Sequence, residues 1–219
     1  MMRFRPLSVV VWWAGAYAAT ECIVVVLASL VFATTWPWVA LCACVEGALL
    51  GLAQGWLLRG IRRRLAFDWT LATVAGLLLG RFIEYTADLS PVAGALLRSP
   101  FIVQISAGAA LGAIVGAASG SFQALLLRGV IRHPYRWIAV CGAAWALTLP
   151  ALLVVGFAGE QLSGIPVWRA AVALLVLFAG IGAGTGAIEG LGLTWLLQAP
   201  ERQCRPVLRL DREPVEHAV

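Results

Sequence analysis

Lysine is absent from this chain: all sixteen basic residues are arginine. A retinal-type Schiff base is therefore excluded. Histidine is nearly absent as well, with only His133 and His217, both outside the long apolar runs. That excludes bis-histidine haem ligation, a Ser–His pair and a HExxH metal site within those runs. No aspartate falls inside a run either, which removes paired-aspartate protease chemistry. A phosphate-cradling loop ending in GKS or GKT is also missing. Enzyme activity is not expected, and neither is a cofactor or a bound metal. Charge is scarce overall, 12% of residues, about half the fraction typical of soluble domains.

In place of charge there is grease. The chain has 219 residues, 61% of them hydrophobic, with long apolar runs at about 8–32, 36–58, 69–87, 101–127, 137–157 and 169–197. A helix of about 20 apolar residues crosses a hydrocarbon core of about 30 Å. The expected fold is all-α: a polytopic membrane protein whose residues 1–198 form one six-helix bundle. Residues 199–219 read as a disordered cytoplasmic tail. The first run is longer than the apolar core of a secretory signal and is taken as an uncleaved span.

The arginines orient the bundle. Arg3, Arg5, Arg59, Arg62, Arg63, Arg64, Arg128, Arg132, Arg136, Arg202, Arg205, Arg209 and Arg212 fall on one side, against Arg98 and Arg169 on the other. By the positive-inside rule both termini are expected in the cytoplasm, with the chain multi-pass in the inner (cytoplasmic) membrane. The net charge of +5 then suits anionic lipid headgroups at the arginine-rich turns, not nucleic acid. Cys42 and Cys44 are two residues apart on a helix and point about 200° apart. They and the other intramembrane cysteines, Cys22 and Cys141, read as packing residues. Cys204, in the tail, is expected to be reduced.

Residues 47–60 read GALLGLAQGWLLRG and residues 116–129 read GAASGSFQALLLRG. The shared pattern places Gly47, Gly51 and Gln54 on one helical stripe, and Gly116, Gly120 and Gln123 on another. Small residues every fourth position let helices approach closely where lipid offers no hydrophobic drive, and a glutamine on that stripe is expected to hydrogen-bond across the contact. The last span carries a weaker copy, in which Gly186, Gly190 and Trp195 align with Gly47, Gly51 and Trp56, so that Leu193 replaces the glutamine. Three tandem helical hairpins follow, at about 8–58, 69–127 and 137–197. Trp36, Trp38 and Trp168 at one set of helix ends, and Trp56, Trp69, Trp137 and Trp195 at the other, read as interfacial belts. Pro150 is expected to kink or open the fifth span. The segment VAGALL in the outer connection 88–100 is expected on the membrane surface or dipping into it, and Gln104 at the interface.

Charges within spans are costly, about 2.5–3.5 kcal/mol on insertion scales, and usually face a partner or a cavity. Here they are Glu21, Glu46, Arg81, Glu84 and Glu189. Glu21, Glu46 and Arg81 each lie thirteen residues from the arginine-rich boundary, about 20 Å deep by the helical rise, with Glu84 one turn beyond. One guanidinium cannot neutralise three carboxylates, so protons or water must compensate the remainder. A buried polar cluster serving a proton, an ion or a polar ligand is one expectation; an ion pair that orders the bundle is the other. Glu189 aligns with Leu50 and Ser119 and stands apart, able to face a cavity or to meet Gln54 or Gln123.

The string G-A-x-x-G-x-x-Q-x-x-L-L-R, followed by a tryptophan opening the next span, resembles a repeat found in uncharacterised multi-pass bacterial membrane proteins. The ending GAIEGLGLTWLL, residues 186–197, is similar to their last helix. The resemblance implies a six-helix bundle and transfers no activity. Two classes of function follow from the residues. One is a small permease or channel-like protein built on the polar cluster. The other is a non-catalytic accessory or scaffold subunit whose glycine stripes pack a membrane-protein partner or a second copy of the chain.

Overall fold

The structure, a computed structural model, describes residues 6–31, 35–59, 63–128, 130–161 and 165–198. Arg3, Arg5, Arg62, the tail 199–219 with its arginines, Cys204 and His217 lie outside the described residues. The helices are α1 (Pro6–Val31), α2 (Trp36–Leu58), α3 (Arg63–Asp88), α4 (Pro91–Leu97), α5 (Phe101–Leu127), α6 (Tyr135–Gln161) and α7 (Val167–Gln198). No strand occurs among the described residues. All except α4 are long and apolar enough to cross a membrane. Their outward faces carry Val11, Leu71, Ile114, Leu147 and Val176, all exposed, as lipid contact requires. The fold is that of an all-α polytopic membrane protein.

Helix α3 begins at Arg63, six residues before its apolar run. A hydropathy reading stops where Arg63, Arg64 and Asp68 enter, but the backbone ladder does not. Helix α6 continues through Pro150. Thr148 Oγ1, two residues before the proline, donates to Ala144 O at 2.9 Å and lies 2.6 Å from Thr185 Oγ1 on α7. The VAGALL segment forms most of α4.

The six long helices close into a ring in the order α1, α2, α3, α5, α6, α7, with α7 returning to α1. Helices within each sequence hairpin touch, but the most extensive pairings join consecutive hairpins: α2 with α3, α5 with α6, and α7 with α1. Glycine is the cause. A Cβ placed on Gly47, Gly51 or Gly55 would come within 2.6, 2.7 and 2.6 Å of the backbone of Val74, Thr70 and Ala66 on α3. On α5, Gly112 and Gly116 sit directly against the carbonyls of Trp145 and Cys141 of α6. On α7, Gly182 and Gly186 face the carbonyls of Tyr17 and Trp13 of α1, at 3.0 and 2.5 Å from such a Cβ. Close backbone approach supplies the van der Waals contact that replaces the hydrophobic drive absent in lipid.

A substitution separates the packed stripe from the lipid face. Nothing lies within 4 Å of a Cβ on Gly184. Gly186→Ala is expected to cost about 1–3 kcal/mol by overpacking, and Gly184→Ala to be neutral or slightly stabilising through helix propensity. Unfolding of both variants in one detergent checks this; equal losses would contradict the packing assigned to α7.

Candidate functional site

Two polar layers occupy the ring, one at each depth. The deeper layer, toward the arginine-rich turns, is built on tryptophan. Trp13, Trp69 and Trp137 are fully enclosed, at 0% exposure. Their rings meet, with centroids 6.3 Å apart for Trp13 and Trp69 and 6.0 Å apart for Trp69 and Trp137. Trp69 and Trp137 are therefore not interfacial belt residues, as their place near helix starts suggested. Position along a helix gives depth but not direction, and both indoles turn inward.

Each indole faces the polar residue of a glycine stripe. Trp69 Nε1 donates to Gln54 Oε1 at 2.9 Å, and Trp137 Nε1 donates to Gln123 Oε1 at 2.8 Å. Gln123 Nε2 in turn donates to Thr73 Oγ1 at 3.0 Å, tying α5 to α3. The third pair is Trp13 with Glu189, which interact without a well-formed hydrogen bond. Glu189 Oε2 instead accepts from the Tyr17 hydroxyl at 2.7 Å.

This corrects the alignment of the last span. Gly182, Gly186 and Glu189 repeat the spacing of Gly47, Gly51 and Gln54 and of Gly116, Gly120 and Gln123. Glu189, not Leu193, stands where the glutamine stands. Its partner glycine Gly186 meets Trp13 and Ala14, as Gly51 meets Thr70 beside Trp69 and Gly120 meets Ile138 beside Trp137. Tyr17, Thr73 and Cys141, each four residues after its tryptophan, complete the layer. Glycine at every fourth position of α7 let the sequence slide by one turn; the spacing 182, 186, 189 was the signal that could have fixed it.

The second layer lies toward the opposite end of the bundle. Arg81 donates through Nη1 to Glu84 Oε2 at 2.8 Å and through Nη2 to Glu46 Oε2 at 3.0 Å. One guanidinium thus joins α2 to α3 and holds two carboxylates. Glu21 on α1 shares their electrostatic field. The structure therefore brings Glu21, Glu46, Arg81 and Glu84 together and leaves Glu189 out. Glu189 sits in the tryptophan layer, because α7 places it beside Tyr17. Gln104, in the first turn of α5, is buried, and its Nε2 donates to Ser99 O at 2.9 Å.

Glu21, Glu46, Arg81 and Glu84 line a cavity of about 840 Å³, together with Tyr85, Asp88 and Cys42. Its lining is acidic: four carboxylates face one guanidinium. Between this lining and the tryptophan layer lie buried Leu50 and Leu77, and Tyr17 one turn below Glu21, about 6 Å by helical rise. Among the described residues, these side chains seal the base of the space, which is a cup. Sequence reasoning missed Tyr85 and Asp88 on the cup wall, and Trp13 and Tyr17 below it.

Fold and site together define an all-α polytopic membrane protein with a one-ended acidic cup. No protein-family model matches the chain, and no curated protein or solved structure matches it.

The corrected register makes a prediction. Glu189→Gln places at this position the side chain found at its two counterparts and is expected to preserve stability. Glu189→Leu strips Tyr17 of its acceptor and is expected to cost about 1–3 kcal/mol, the penalty of a buried unpaired hydroxyl. Unfolding of the two variants in detergent decides; a glutamine variant as damaged as the leucine one would reject the register.

Proposed function

We propose that the chain is a small permease of the cytoplasmic membrane that takes up a cation or a protonated small solute through the acidic cup. One observation carries this reading: a cavity of about 840 Å³ with four carboxylates against one guanidinium, closed at its base. Net negative charge in a low-dielectric recess concentrates cations there. Charged side chains within spans characteristically mark ion and substrate pathways.

Orientation follows from the arginines: the positive-inside rule puts the tryptophan layer at the cytoplasmic half and opens the cup to the opposite side. Arg59 stacks on Trp56 at 4.6 Å and Arg136 on Trp195 at 5.2 Å. This arrangement suits basic side chains held at the level of anionic headgroups. Transport then requires the tryptophan layer to open while the cup closes. The repeated contacts of α2 with α3, α5 with α6 and α7 with α1 offer three comparable units that can rock against one another, in the manner of repeat-built carriers. No step of bond making or breaking is assigned to the chain.

The accessory-subunit reading relied on glycine stripes free to receive partner helices. The stripes of α2, α5 and α7 are occupied by helices of this same chain. Only Gly180 and Gly184, with nothing near them, remain for that role among the helical glycines of α7.

Cys42 lines the cup and reports its access. With the other cysteines replaced, a cationic methanethiosulfonate is expected to label Cys42 from the non-cytoplasmic face about tenfold or more faster than an anionic one, through the local potential. A carrier also exposes Cys42 to the cytoplasmic face in part of its cycle, so slower labelling is expected from inside-out vesicles. Labelling from one face only, unchanged by Trp69→Ala, would rule out a permease and leave a one-sided binding protein.

A further inference from the structure

A second cavity lies beside the cup. Glu84, Asp88 and Leu152 line the cup and also line this second cavity of about 450 Å³. That second space has a different chemistry. Leu96 of α4, Leu111 of α5, and Leu149 and Leu153 of α6 wall it, with Ala107 and Gly108 giving it depth. A charged chamber therefore adjoins, across two shared carboxylates, a mainly leucine-lined one whose other polar lining residue is Gln104.

A small inorganic cation would make no use of the second chamber. Among the described residues no three carboxylate, thiol or imidazole side chains are placed to hold a metal ion. The acidic chamber, in contrast, holds a carboxyl group without a partner. Glu21 is 8% exposed and has no hydrogen-bond or ion-pair partner among the described residues. Its Cγ lies where a Cβ on Gly182 would come within 2.7 Å, so the glycine of α7 leaves room for the side chain to lie against the cup wall. Glu84 Oε1 is likewise buried without a partner, although its other oxygen binds Arg81. Burying an isolated carboxylate is costly unless a positive group joins it.

Resting on the reading of the cup as the loading site, we infer that the ligand is an amphiphilic organic cation. Its ammonium head sits among Glu21, Glu46 and Glu84, and its apolar tail lies in the leucine chamber of α5 and α6. The head receives charge from Glu21 and from the free oxygen of Glu84. Apolar burial in the second chamber supplies the affinity that distinguishes this ligand from a bare cation.

Equilibrium binding to the full chain in lipid nanodiscs, with empty nanodiscs subtracted, tests the inference with three probes. They are 4-phenylbutyltrimethylammonium, tetramethylammonium and 4-phenylbutan-1-ol. The arylalkyl cation is expected to bind about tenfold or more tighter than tetramethylammonium, as burial of an aryl tail gives, and the alcohol weakest. Ala107→Phe fills the leucine chamber and is expected to abolish that advantage while leaving tetramethylammonium binding unchanged. Leu153→Phe provides a second filling variant should the first misfold. Glu21→Gln is expected to weaken both cations in parallel. If the two cations bind equally, or if neither filling variant alters their ratio, the two-chamber ligand is wrong, while two-sided labelling of Cys42 would still uphold the permease. Tightest binding of the alcohol would reject a cationic head outright.

Discussion

Everything in this bundle depends on where helices can approach closely. In lipid, association rests on backbone proximity, and the chain lays glycine stripes along three helices. On α2, α5 and α7 the stripes Gly47–Gly55, Gly112–Gly120 and Gly182–Gly190 run toward the arginine-rich end. There α3, α6 and α1 press against them, and the centre is narrow enough for three indoles to fill it. Past the stripes the facing residues become bulky: Val39 on α2, and Leu174 and Phe178 on α7, all line the cup. Larger side chains hold the helices apart, and the space they leave is the cavity. One gradient in side-chain size thus produces both the sealed base and the open cup.

The polar groups are arranged to survive in that geometry. In the narrow half they are donors and acceptors paired across helices, as Trp69 to Gln54 and Trp137 to Gln123, with the Tyr17 hydroxyl donating to Glu189 Oε2. In the wide half they are charges: Arg81 serves Glu46 and Glu84, while Glu21 and Asp88 face the cavity. A buried ion pair is weak evidence of stability, since desolvation offsets much of the attraction. An acidic surplus is harder still to explain as mere scaffolding, because packing alone does not call for Glu21. The proposed cation site would give that acid a reason, and the leucine chamber beside the carboxylates is what turns the proposal toward a ligand with both a charge and a tail.

The spans and the meeting of Glu46, Arg81 and Glu84 could be read from the chain, because hydropathy gives helices and residue counting gives depth. Gln54 and Gln123 were legible for a related reason: a polar side chain on a glycine stripe must cross the contact that the stripe makes. Direction around a helix was not legible. Trp69 and Trp137 sit near helix starts, as belt residues do, yet turn inward, and nothing along the chain marks Trp13 as their companion. Glu189 was misplaced by one turn because a glycine ladder aligns with itself at every fourth residue. The chambers were invisible for a further reason, since Leu152, Tyr85 and Asp88 acquire a common meaning only when six helices close into a ring.

Hydroxyl-radical footprinting of the intact protein in nanodiscs tests the central claim most directly, because it reads water at individual side chains. The account predicts that Trp13, Trp69 and Trp137 are oxidised far more slowly than Tyr85 in the cup and Trp168, 64% exposed at a helix end. Oxidation of any of the three central indoles at the rate of Trp168 would show a wet centre, and would contradict a cup closed by tryptophan.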